Sequence, residues 1–318
     1  MTAGYDPFAR GIFAVEVQTF QADDAARARR FPSEVWSPAV AGTWPLAVYS
    51  HPSGGSRRSA SFLCEHLSSH GYVVAALDHS ETIAPELARK AGESDPDKRA
   101  RWAGLMAARV PDLRFLLDAL LKSAPLRPGS RIDPDRVGAV GHSLGGWTVL
   151  AALDVEPRIA SVVALAPAGA SRRKPGMLPA TLDFRWRRDV PALYLAAEND
   201  TSLPLEGMYE LFERTPGTAK QLAILRRADH MHFMDRVAEM HEMVRSMPMS
   251  GELAWLAKEI RPIAELCSAD EAHLFARGLT LGHLDATLQR REDARRFMAG
   301  DLRAGLAARG VEAIVRRS

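Results

Sequence analysis

The chain has 318 residues, 47% of them apolar and 25% charged, the proportions of a folded protein with a substantial core. Lys and Arg total 41 against 39 Asp and Glu, a formal charge of +2, so no net field recommends nucleic acid as a partner. Two cysteines, Cys64 and Cys267, give neither a disulfide framework nor a metal-ligand spacing, and no apolar run reaches the roughly 18 residues of a membrane span.

The N-terminal stretch "MTAGYDPFARGIFAVEV" carries acid where a secretory signal needs base and lacks a long apolar stretch, so the expected location is cytoplasmic. "GIFAVEVQTF" and "FPSEVWSPA" then read as strands around the polar "QADDAARARR", and "PLAVYSH" as a buried strand. "SASFLCEHLSSHG" has helical spacing with a glycine stop and "YVVAALDHS" is a second buried strand. "VPDLRFLLDALLKS" places Val110, Leu113, Leu117 and Leu120 on one helical face. "RVGAVGHS", "IASVVALAPAG", "VPALYLAAEND" and "AKQLAILRRADH" continue as strands, with helices in "LGGWTVLAALD" and "PLEGMYELFERT".

Residues 83–108 and 171–188 are irregular, as a rim loop, a lid or a plain surface excursion is. From Gly251 the pattern is helical through "ELAWLAKEIRPIAEL", "DEAHLFARGLTLGHLDATL" and "EDARRFMAGDLRAGLAARG". The basic clusters Arg27–Arg30, Arg172–Lys174 and Arg185–Arg188 are short and interleaved, and read as solvated surface. Strands alternating with helices predict an α/β fold with a mostly parallel sheet, N-terminal antiparallel strands and helices on both faces. Chemistry in such sheets sits beyond the carboxyl ends of the strands.

Gly141-His142-Ser143-Leu144-Gly145 fits G-x-S-x-G between a β-branched strand and a helix, the context of a nucleophile elbow. A serine hydroxyl needs a base, and the base needs a group to orient it, in the chain order Ser, acid, His for this motif. Asp200, in "AENDTSLP" at a strand's carboxyl end, is the first choice of acid, with Glu198 second. "ADHMHFMD" offers His230 and His232, of which His230 comes first in the loop and is favoured. A metal on His230, His232 and Asp235 is the weaker reading, since no further ligand lies at a useful spacing. Oxyanion donors fall to the backbone N–H of Leu144 and to Ser53 in "HPSGGSRRS", because Pro52 has no N–H.

With these residues placed, the chain resembles α/β-hydrolases of the platelet-activating-factor acetylhydrolase and dienelactone hydrolase-like group, and is similar to cutinase-type polyester hydrolases. The resemblance runs from about Gly11 to Asp235 through "PLAVYSHPSGG", "HGYVVAALDHSET" and "VGAVGHSLGGWT", and the tail is similar to that of dienelactone-hydrolase-like members. It implies an α/β-hydrolase fold, Ser143 as nucleophile, Ser53 and Leu144 as oxyanion donors, and His230 as base, followed three positions on by Phe233. Two positions depart from it. His51-Pro52 stands where the family has His-Gly, and "ALAPAGA" holds no acid after the strand that follows the elbow. That assigns the acid to Asp200.

The expected organisation is a catalytic domain over 1–250 with a helical extension over 251–318 packed on it. The expected activity is cofactor-free, metal-free cleavage of a small carboxylic ester through a Ser143–His230–Asp200 triad. Lactone, thioester or amide cleavage on the same residues is the alternative, and a non-catalytic binding protein or a metal-dependent hydrolase are the rivals.

Overall fold

The computed structural model describes residues 4–317 except 91, 218 and 250. The strands are β1 (Val15–Asp24), β2 (Arg29–Pro38), β3 (Thr43–Ser50), β4 (Val73–Leu77), β5 (Arg131–His142), β6 (Ile159–Leu165), β7 (Ala192–Ala197), β8 (Lys220–Leu225) and β9 (Ala313–Arg317). The helices begin with α1 (Ser61–Ser69), α2 (Ser80–Ile83), α3 (Asp95–Ser123), α4 (Leu144–Ala152) and α5 (Leu205–Arg214). They continue with α6 (Val237–Ser246), α7 (Leu256–Glu259), α8 (Ala269–Thr287), α9 (Glu292–Ala299) and α10 (Leu302–Ala307).

All nine strands join one sheet in the order β1-β2-β4-β3-β5-β6-β7-β8-β9. Neighbours from β4 through β8 pair in parallel, while β1, β2 and β9 run antiparallel to theirs. The central strands are apolar on both faces because both are covered. Along β3, Leu46 and Val48 face a core with Leu113 and Leu117 of α3, Val149 of α4 and Leu211 of α5. Ala47 and Tyr49 face the opposite core, with Leu63 of α1, Phe275 and Leu279 of α8, and Leu302 of α10. Among the described residues no helix is long and apolar enough to cross a membrane.

Three expectations need correction. Residues 95–108 are helix: α3 starts at Asp95, where the Ser94 hydroxyl accepts from the Asp97 N–H at 3.3 Å, and it runs on through Pro111. The Val-Pro pair resembled a helix start, but an internal proline removes one backbone bond and α3 retains enough apolar contact to continue. Residues 251–265 form single turns, with α7 only four residues long, because Pro262 interrupts the pattern. The tail also ends in a strand. Five residues of β9 pair with β8, too short a run to show a period, and Arg317 donates to the Met298 and Ala299 carbonyls at the end of α9 at 2.9 and 3.0 Å. The segment 171–188 does lack helix and strand; the Trp102 and Trp147 indoles hold it by donating to the carbonyls of Pro179 and Thr181, at 2.6 and 2.8 Å.

Candidate active site

Ser143 sits between β5 and α4 with φ 57° and ψ −117°, a conformation costly for any residue with a Cβ. The strain is held by the Ser143 N–H donating to Leu165 O at 2.8 Å and by the Ala168 N–H donating to Ser143 O at 3.0 Å. Glycine is required on either side. A Cβ at 141 would lie 2.1 Å from Gly145 O, and one at 145 would lie 1.9 Å from Ser50 O. The turn therefore lifts the serine at the carboxyl end of the sheet, with the N-terminus of α4 beneath it.

Asp200 follows β7, and its Oδ1 accepts from the Leu203 N–H at 2.8 Å. Its Oδ2 lies 2.6 Å from His230 Nδ1, in the turn after β8. Burial works against charge on the His230 ring, but the Asp200 carboxylate outweighs it and raises the pKa above the ordinary histidine value. His142, the residue before the serine, packs against His230 with ring centroids 4.8 Å apart. Burial, then the neighbouring His230 charge, holds His142 well below its ordinary pKa, so it stays neutral.

The loop after β3 forms a tight turn in which the Gly55 N–H donates to Pro52 O at 3.0 Å, and Gly54 takes φ 72°. Ser53 is thereby carried to the wall of the cavity that Ser143, Leu144 and His230 also line. The proline is accommodated by side chains that hold the loop from below. His51 Nε2 accepts from the His79 N–H at 3.0 Å, which leaves its proton on Nδ1 to donate to Pro52 O at 2.7 Å. Arg109 of α3, with a fully buried side chain, donates to His51 O at 2.6 Å and to Pro52 O at 3.4 Å, and pairs with Glu81. Deeper still, Asp112 joins His79 at 3.3 Å, the Ser80 N–H and hydroxyl at 2.8 Å each, and Arg27 at 2.6 Å. Arg27 thus leaves the solvated surface expected of its cluster.

This clamp gives a stability prediction. Arg109→Met strands the Glu81 carboxylate and removes donors from two buried carbonyls, and should lower the unfolding free energy by about 3–5 kcal/mol. Adding Glu81→Gln should recover part of that loss, because the stranded charge goes with it. Urea unfolding of both single variants and the double variant measures the coupling; strict additivity would contradict the clamp.

The other candidates are engaged elsewhere. His232 is fully buried, with Nδ1 2.8 Å from Asp229 Oδ1 and Nε2 3.1 Å from Cys267 O. Burial opposes its charge, yet the Asp229 hydrogen bond lifts its pKa to about 9. His241 of α6 pairs with the second Asp229 oxygen and reaches Arg261 O at 2.9 Å. One carboxylate thus ties the turn bearing His230 to α6 and to the start of the tail. Asp235 caps α1 through the Ser61 and Phe62 N–H groups at 2.7 and 3.1 Å, so the His-x-His pair and Asp235 do not converge. Glu198 is held by the Arg227 N–H and by Arg226. Arg172–Lys174, expected as plain surface, border the cavity.

A nine-stranded sheet with this strand order, a serine elbow after β5 and helices on both faces is the architecture of the α/β-hydrolase fold, and the chain has that fold. Residues 30–102 match the family model of platelet-activating factor acetylhydrolase, isoform II. The chain is similar to cutinase est1 of Thermobifida alba, 26% identical over 64% of this chain and 58% of that one. It is also similar to bis(hydroxyethyl) terephthalate hydrolase of Streptomyces coelicolor, 28% identical over 60% of this chain and 51% of that one. The chain thus spans between half and three-fifths of those relatives' lengths. A ferulic acid esterase from Streptomyces cinnamoneus superposes with a TM-score of 0.64 at 23% identity, covering 91% of this chain and 94% of that one.

Proposed function

We propose that this chain is a serine hydrolase that cleaves carboxylic esters through an acyl-enzyme. The observation that carries the reading is the 2.6 Å contact of His230 with Asp200, on a cavity that also holds a strained Ser143. Ser143 Oγ attacks the ester carbonyl carbon while His230 Nε2 takes its proton. The developing oxyanion is met by the N–H groups of Leu144 and Ser53, each such donor being worth about 10²–10³ in rate. His230 returns the proton to the departing alcohol, then activates the water that releases the acid and frees the serine. Asp200 holds the imidazole with its proton on Nδ1 and stabilises the imidazolium that forms. The names of the relatives, a cutinase and a terephthalate ester hydrolase, support ester chemistry.

A fluorophosphonate probe tests this without knowledge of the natural ester. Phosphonylation should fall on the tryptic peptide containing Ser143 and should be blocked when the protein is first unfolded. A folded protein that takes no label there, or takes it on another serine, would overturn the assignment.

A further inference from the structure

The cavity over Ser143 has a volume of about 1130 Å³, above the roughly 300–1,000 Å³ typical of small-molecule sites. A short acyl group does not need such space. Its apolar wall is rich in methionine: Met177, Met231, Met234, Met240, Met243 and Met247. Met243 and Met247 stay 47% and 38% exposed at its edge. Unbranched thioethers are adaptable and can pack along a flexible chain, for which the volume leaves room.

Two other segments border the same space with cations. Arg89, Lys90 and Lys98 come from the approach to α3 and its first turn, and Arg172 and Arg173 from the irregular segment after β6. Their neighbours Arg101 and Lys174 are matched by Glu93 and Glu259. Among the described residues those five cations have no carboxylate within ion-pair distance. On the acidic side, Glu81 and Glu93 are committed to Arg109 and Arg101, which leaves Asp95 and Glu206. The lining therefore carries a positive excess within a protein of nearly balanced charge, and low-dielectric walls concentrate such a field in a cleft.

We propose that the cavity takes an anionic amphiphile: an ester joining a flexible, unbranched apolar chain to a part that bears a negatively charged group. The chain lies along the methionines and the anion meets Arg89, Lys90, Lys98, Arg172 and Arg173. This substrate class rests on the ester-hydrolase reading above.

The test compares two competitive inhibitors of p-nitrophenyl butyrate hydrolysis with the same tail, dodecyl phosphate and dodecyl maltoside, each below its micelle-forming concentration. Dodecyl phosphate should have an inhibition constant about tenfold lower, the sum of several modest contacts between exposed charges. Replacing Lys90, Arg172 and Arg173 together by glutamine should bring the ratio of the two constants close to one. The remote charge removal Arg290→Gln with Arg303→Gln should leave that ratio as it was. Equal inhibition by the two amphiphiles, or a phosphate preference that survives the triple substitution, would overturn the proposal. If p-nitrophenyl butyrate is not hydrolysed, the ester-hydrolase reading is what has failed. Calorimetric binding of the same two amphiphiles then decides the charge preference on its own.

Discussion

Ser143→Ala should lower kcat/KM on p-nitrophenyl esters by about 10⁴–10⁶-fold, with the folded state barely altered. The alanine keeps a Cβ and so inherits the backbone strain at φ 57° and ψ −117°, while the bonds from the Ser143 N–H to Leu165 O and from the Ala168 N–H to Ser143 O involve only backbone. Thermal unfolding should therefore coincide with that of the parent protein. Ser143→Gly separates the two roles of the position. It removes the nucleophile equally, but also the Cβ that makes the conformation costly, and should raise stability by about 1 kcal/mol, net of the entropy a glycine adds to the unfolded chain. An inactive glycine variant that unfolds at a higher temperature than the alanine variant is the expected pair of results. Substantial turnover by the alanine variant would remove Ser143 from the chemistry, whatever the melting curves show.

The elbow is legible in the sequence because its constraints are local. Two glycines and a serine within five residues, after a β-branched run, leave few other backbone paths, and the structure has that turn between β5 and α4. The alternation of buried strands and amphipathic helices is legible for the same reason, and the parallel sheet follows from it. The clamp under the loop after β3 is not legible. Arg109, Glu81 and His51 are separated by 28 and 58 positions, and nothing in a helical stretch of small and apolar residues announces that its arginine turns inward. Asp229 hides differently. It adjoins two histidines that both invite a catalytic reading, and only the packing of α6, which brings His241 to the same carboxylate, assigns His232 to holding the turn. The Arg172–Lys174 triplet has the composition of solvated surface, and only the fold of the segment around it places it on the cavity.

Asp200→Asn should reduce kcat by about 10³–10⁴-fold and, in the activity that remains, move the acidic limb of the pH profile downward. The size of the loss follows from how the two carboxylate oxygens are used. Oδ1 accepts from the Leu203 N–H at 2.8 Å, a donor that no NH₂ group can satisfy, so the asparagine keeps its oxygen on that side. Its NH₂ then faces His230 Nδ1 across the 2.6 Å contact, and donates where the aspartate accepted. The imidazole proton is driven to Nε2, the atom that must be free to take the proton of Ser143. The pH shift has a separate cause. Burial lowers the His230 pKa, and in the parent protein the Asp200 charge more than reverses this, so the neutral base is lost as pH falls through a value above that of an ordinary histidine. With the charge gone, burial is opposed only by the weaker influence of the Asp229 carboxylate, and the ring stays neutral to lower pH. The profile of kcat/KM for the variant should therefore begin its acid decline at lower pH than the parent's. A variant whose decline stays in place would mean that Asp200 does not set the protonation of the base, and Glu198, held between Arg226 and the Arg227 N–H, would not take its place.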